Sequence, residues 1–190
     1  MPAVTKTPVD VADVMFKPVL IRAGVALIFG LTTVFVQEPG TLWMKVSLAL
    51  YLVFSGSAMW EYLRREPVPV AMRSPLSMAA AAWMLGTIVL FFFSSPQGVG
   101  ITVGAALLLG GVAELVAWFR HRREFGPARD QLITGAVGVG SGVGLFLGSG
   151  LNQHAQLGIA GGGALILGVM LAVSGVGMYL DVRKAAETGP

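Results

Sequence analysis

Long apolar stretches separated by short polar breaks run along most of the chain. A helix needs about 20 apolar residues to cross roughly 30 Å of hydrocarbon. Six windows meet that need: residues 19–36, 42–63, 76–94, 98–119, 131–149 and 156–180. The pattern predicts an all-α integral membrane protein with six transmembrane helices. The sixth window is the longest, which predicts either a tilted helix or a non-membrane turn at Gly161, Gly162 and Gly163.

One unit occurs three times in the sequence. Each copy has an apolar segment, an uncharged turn, a second apolar segment with two small residues near its end, and then basic residues. The copies cover residues 21–65, 78–123 and 133–184. The matching positions are Gly30, Gly86 and Gly142 in the first segments, and Gly56, Gly111 and Gly175 in the second. Because similarity at a regular period indicates a repeated structural unit, the sequence predicts three helical hairpins.

The composition supports a protein embedded in a lipid bilayer. Hydrophobic residues make up 55% of the chain and charged residues only 12%, which is more apolar surface than 190 residues can bury in a soluble core. The net charge of +3 comes from basic residues at the predicted helix ends, so we expect no nucleic-acid partner. The absence of cysteine excludes disulfides, thiol nucleophiles and thiolate metal sites.

The basic residues predict the orientation of the helices. Lys45 is alone near one end of the predicted bundle, and Arg22 lies just inside the other end. The remaining basic residues fall at that second end: Lys6, Lys17, Arg64, Arg65, Arg73, Arg120, Arg122, Arg123, Arg129, Arg183 and Lys184. Since basic loops stay in the cytoplasm, both termini are predicted to be cytoplasmic, including a tail at 183–190. These loops are also expected to contact anionic lipid headgroups.

The segment 1–18 precedes the first predicted span. It lacks the apolar core and cleavage site of a signal peptide, so we expect it to remain on the chain. Pro8 can open a helix here and Pro18 can separate it from the membrane span. The prediction is a short amphipathic helix lying in the cytoplasmic interface, with a disordered tail as the alternative.

Glycines mark the surfaces where helices are expected to touch. In lipid, close association of helices depends on small residues. On the fifth span, Gly140, Gly144 and Gly148 share one face and Gly142 lies on the opposite face, which predicts that this helix occupies the centre of the bundle. The remaining candidates for helix packing are Gly30, Gly56, Gly86, Gly111, Gly168 and Gly175.

Three charged side chains fall inside the predicted spans near their cytoplasmic ends: Arg22, Glu61 and Glu114. Glu61 can form an interfacial ion pair with Arg64 or Arg65, which follow it by three and four residues. Glu114 lies deeper, and it is either a proton-responsive group, an anchor for Arg22, or a partly solvated interfacial carboxylate. His121 belongs to a basic loop predicted to be solvated. His154 lies in an outer turn, where it is either a group that responds to external acid or an exposed histidine without a specific role.

The polar residues do not form a recognisable catalytic or ligand-binding pattern. The sequence shows no Ser/His/Asp set, no paired carboxylates in one cleft and no metal-ligand spacing, so we expect neither an enzyme nor a bound cofactor or metal.

The glycine-punctuated hairpins resemble a known family. Segments such as Arg22-Ala23-Gly24, Tyr51 to Gly56 and Gly110 to Leu115 are similar to the HdeD-like acid-resistance membrane proteins over about residues 19–182. The resemblance implies a multi-pass protein of the bacterial inner membrane that is associated with survival of acid or general stress. It implies no catalytic residues.

Two other classes of function stay open at this point. An accessory subunit of a larger membrane complex, or a homo-oligomer, would explain the many small-residue faces. A small transporter or channel would need polar groups at depth. The candidates for such groups are Thr32, Thr33, Ser47, Ser57, Thr87, Thr102, Thr134 and Ser141.

Overall fold

The computed structural model describes residues 7–187, and within that range it is a bundle of helices. The six α-helices are α1 (Val9–Phe35), α2 (Thr41–Leu63), α3 (Val70–Val89), α4 (Pro96–His121), α5 (Ala128–Leu147) and α6 (Gln153–Glu187). A single 3₁₀ turn, Leu90–Phe92, extends α3. Every one of these helices is long and apolar enough to cross a membrane, which confirms the predicted all-α, six-span fold class.

The N-terminal helix differs from its prediction. The sequence predicts that Pro18 separates an interfacial helix from the first span, but α1 runs unbroken from Val9 through Pro18 to Phe35. Ala12 and Met15 are buried, so tertiary packing of this extension outweighs the hydrogen bond that a proline removes. Residues 1–6 of the predicted segment, Lys6 among them, lie outside the described residues.

The sixth helix is also longer than expected. The alternative of a non-membrane turn at Gly161 to Gly163 is wrong, because α6 is continuous from Gln153 to Glu187. Gly161 and Gly163 instead leave room for the side chains of Thr33 and Ser141 from neighbouring helices. The predicted tail at 183–190 therefore begins as part of α6, and its residues 188–190 lie outside the described residues.

The helices follow one another around a closed ring. Each helix packs beside its neighbours in the sequence, and α6 returns to pack along α1. The most extensive interfaces, α1 with α6 and α4 with α5, join helices of different hairpins. The prediction that α5 is central is wrong, because α5 lies in the ring between α4 and α6. Glycines on two faces of a helix indicate two close neighbours, and a position in a ring provides both.

Matching glycines of the three hairpins make equivalent contacts around this ring. Gly56 of α2 lies against α3, Gly111 of α4 lies against α5, and Gly175 of α6 lies against α1. In each case the second helix of one hairpin contacts the first helix of the next. The predicted threefold repeat fits this arrangement.

Candidate functional site

Two oppositely charged side chains meet inside the ring. Arg22 of α1 is 5% exposed and Glu114 of α4 is 1% exposed. Nη2 of Arg22 donates a hydrogen bond to Oε1 of Glu114 at 2.5 Å, and Nη1 donates to Oε1 of Gln131 on α5 at 3.5 Å. One guanidinium group therefore connects three helices.

Aromatic side chains of α2 enclose this ion pair. The ring of Tyr62 is fully buried, and its centroid lies 5.8 Å from the guanidinium carbon of Arg22. Tyr51 is also buried, and its ring stacks on Phe29 with the centroids 4.3 Å apart. Because Arg22 and Glu114 are both buried, removal of either charged partner would leave the other charge buried without its counter-charge.

A second buried carboxylate, Asp130, lies in the first turn of α5. Its two carboxyl oxygens are 2.9 and 3.0 Å from Oγ of Ser174 on α6, which donates its single proton to one of them at a time. Arg22 and Arg129 are the cations that act on Asp130 electrostatically. Arg22 is already paired with Glu114, and Arg129 is exposed. The buried charged cluster of Arg22, Glu114 and Asp130 thus contains two carboxylates and one guanidinium group.

A small cavity lies beside the ion pair on the axis of the ring. Its volume is about 30 Å³, and all six helices contribute to its wall. Among the described residues, Nε1 of Trp83 is buried at this wall without a hydrogen-bond partner. The volume has room for one or two water molecules. It is far below the roughly 300 Å³ of a typical small-molecule site.

Of the ionisable side chains singled out from the sequence, the structure brings together Arg22 and Glu114. Arg22 and Glu114 form the buried pair, so the expectation of a partly solvated Glu114 is wrong. Glu61 pairs with Arg65 on the surface of α2, where both side chains are partly exposed. His154 is exposed in the first turn of α6, at the end of the bundle opposite the buried ion pair. Its Nδ1 lies 3.2 Å from the carbonyl oxygen of Val36.

His121 also differs from its expected surroundings. The sequence predicts a solvated residue in a basic loop, but the side chain is only 6% exposed at the end of α4. Its Nδ1 lies 3.1 Å from the carbonyl oxygen of Ala117, one turn earlier in the same helix. The neighbouring arginines take the solvated positions instead, because a histidine ring is easier to bury than a guanidinium group.

The predicted packing glycines fall into two groups. A methyl group on Gly140 would have no neighbouring atom within 4 Å, so the predicted packing role of this residue is wrong. The others lie against an adjacent helix. Gly30 and Gly168 line the contact of α1 with α6, Gly86 meets Ala106 of α4, Gly142 meets the backbone of α4, and Gly144 and Gly148 meet Ile159.

The hydroxyl side chains considered for a transport path do not form one continuous row. Thr134 and Ser141 line the small cavity, whereas Thr32 and Ser47 lie in a separate groove between α1 and α2. The remaining four hydroxyls bond to backbone carbonyls of their own helices: Thr33, Ser57, Thr87 and Thr102.

Sequence reasoning missed Asp130 and Gln131. The fifth span is predicted to begin at 131, which assigns Asp130 to the basic loop before it. A signal is present in the sequence, because Asp130 and Thr134 continue the four-residue spacing of Gly138 and Gly142 toward the start of α5. That spacing places polar side chains on a face of α5 that points into the bundle, where Asp130 meets Ser174 of α6.

The arrangement does not resemble a metal centre, and comparisons add no family. Within residues 7–187, no group of three or more His, Asp or Glu side chains is placed to hold a metal ion. Comparison of the chain with protein-family models, with curated proteins and with solved structures gives no match. By its six spans and its buried ion pair, the molecule is a multi-pass membrane protein with a charged cluster in its interior.

Proposed function

We propose that this protein acts in acid or general stress resistance in a bacterial inner membrane, with Arg22, Glu114 and Asp130 as its acid-responsive element. The supporting observation is the excess of one carboxylate in this buried cluster. Ionisable groups inside membrane spans are costly and usually functional. Uptake of one proton in acid would remove the excess negative charge, which links the packing of the bundle to the surrounding pH.

Two further observations support a role without transport of a metabolite. The central cavity is small, and most of the candidate hydroxyls bond to their own helices. The resemblance of the hairpin segments to HdeD-like proteins supports a role in stress survival. The same resemblance implies that the protein lies in the bacterial inner membrane.

The acid-responsive role predicts a specific defect for Asp130→Asn. Asparagine keeps the shape of the side chain and can still accept a hydrogen bond from Ser174, but it cannot take up a proton. In a deletion strain that carries this variant, we expect survival of an acid challenge to fall to the level of the strain without the protein. Growth at neutral pH should be unchanged.

Glu61→Gln is the matched control for this assay. It removes a carboxylate that lies outside the buried cluster, so it should restore survival as well as the natural protein does. Membrane levels of both variants are measured by immunoblotting. Full survival with Asp130→Asn would remove the cluster from the mechanism, and normal survival of the deletion strain would refute the stress role itself.

The proposed orientation can be tested because the chain has no cysteine. Gln37 lies in the α1–α2 connection and Glu66 lies in the α2–α3 connection, and both are exposed. With both termini in the cytoplasm, a membrane-impermeant maleimide should label Gln37→Cys in intact cells. It should label Glu66→Cys only after the membrane is permeabilised. The reverse pattern would invert the topology.

A further inference from the structure

An apolar groove lies between α1 and α2 on the outside of the ring. Its volume is about 410 Å³, within the range of ligand sites, and its accessible wall is apolar. The two hydroxyl groups at its edge do not change this character. Oγ1 of Thr32 and Oγ of Ser47 bond to carbonyl oxygens of their own helices. The groove therefore offers dispersion contacts and no free hydrogen-bonding group.

The length of the groove matches one leaflet of a bilayer. On α2 its wall extends from Trp43 to Phe54. Eleven helical steps between these residues correspond to about 16 Å along the helix axis. Half of the hydrocarbon thickness is about 15 Å. The groove starts near the α1–α2 turn, so it spans the leaflet on that side of the membrane.

We propose that this groove binds one acyl chain of a membrane phospholipid. The groove is continuous with the lipid-facing surface, since Ile28, Leu50 and Phe54 are 70%, 49% and 55% exposed. Trp43 stands at the headgroup end, a position that tryptophan favours at membrane interfaces.

The phosphate of this lipid lies at the same end, at the level of Trp43. Lys45 is the one lysine or arginine at the α1–α2 turn end of the described bundle. It lies about 200° around α2 from Trp43, on the side away from the groove, so no contact with this headgroup is assigned to it.

A helix from another protein fits this groove less well than an acyl chain. A helix with its side chains is about 10 Å wide. Close approach of two helices in lipid uses small residues, whereas this wall carries Phe29, Trp43 and Phe54. A hydrocarbon chain is narrow and flexible, so it can follow a wall made of large, irregular side chains.

The floor of the groove is close to the buried charged cluster. Tyr51 contributes to the wall of the groove and to the wall of the central cavity. The ring of Tyr51, which stacks on Phe29, therefore lies between the two spaces. The acyl chain is thus kept apart from Arg22 and Glu114 by a single layer of aromatic side chains, and its binding does not depend on the proposed stress role.

The test is native mass spectrometry of protein reconstituted with palmitoyl-oleoyl phosphatidylglycerol and extracted in a mild detergent. Ser47→Phe places a ring in the groove, and Ser57→Phe places the same ring on an exposed position of α2 outside it. We expect the natural protein and Ser57→Phe to retain one phospholipid, and Ser47→Phe to retain none.

A second variant distinguishes a filled groove from misfolding of Ser47→Phe. Thr32→Phe fills the groove from α1, and it should also abolish lipid retention. Folding of each variant is checked by its elution volume and thermal unfolding. Retention of the lipid by folded Ser47→Phe and Thr32→Phe would overturn the proposal. So would a natural protein that retains no phospholipid, or one in which these substitutions dissociate a dimer instead.

Discussion

Arg22→Ala is expected to destabilise the bundle by about 3–5 kcal/mol, the range for removing one partner of a buried ion pair. The guanidinium of Arg22 donates a hydrogen bond to Glu114 and acts electrostatically on Asp130. Its loss leaves both carboxylates inside the ring without this buried cation. The hydrogen bond to Gln131 is lost as well. Many domains have only about 5–15 kcal/mol of stability, so the folded yield should fall sharply.

The measurement is chemical unfolding in detergent micelles, with size-exclusion chromatography to give the folded yield. Arg65→Ala is the control, because it breaks the exposed pair with Glu61 and should cost no more than about 0.5 kcal/mol. Replacing both buried partners, as Arg22→Met with Glu114→Leu, should recover part of the loss. Equal stability of Arg22→Ala and Arg65→Ala would mean that the buried pair does not hold the helices together.

Gly111→Ala is the second substitution with a large expected effect. A methyl group on Gly111 would lie 2.7 Å from both the carbonyl oxygen of Gly135 and the amide nitrogen of Val139. These are backbone atoms of α5, so the whole helix must move to relieve the overlap. Overpacking of this kind costs about 1–3 kcal/mol. Movement of α5 also displaces Gln131 from Arg22, so we expect the upper part of that range.

Gly140→Ala is the matched control on α5. Nothing lies within 4 Å of a methyl group at this position, and alanine favours the helix by up to about 1 kcal/mol over glycine. The control should be neutral or slightly stabilising in the same unfolding assay. If the two variants unfold alike, the close approach of α4 and α5 at Gly111 is not a constraint on the fold.

The number and order of the helices are predictable from the sequence because the bilayer itself sets their length and limits their charge. The helix ends are less predictable. The hydropathy of the sequence does not predict the burial of Ala12 and Met15. Because these residues are buried, α1 begins ten residues before the first apolar window. Val70 likewise begins α3 six residues before its window, because Met72 and Pro75 are buried against the bundle.

The candidate site is only partly predictable for a related reason. The sequence places Arg22 and Glu114 near the same end of the bundle, but their pairing depends on the order of helices around the ring. Asp130 lies one residue before a predicted helix and next to a basic loop, where a carboxylate is usually solvated. Its burial follows from the packing of α5 against α6 through Ser174, which no local pattern encodes.

The closure of the ring by α6 on α1 has a consequence for how the protein is made. The chain emerges from the ribosome at about 5–20 residues per second, with its N-terminus first. Glu114 follows Arg22 by 92 residues, so the arginine enters the membrane several seconds before its partner. During that interval its head group can reach the headgroup layer. α1 is inserted before the other five helices of the bundle, but it is fully enclosed only after α6 has been translated and packs along it.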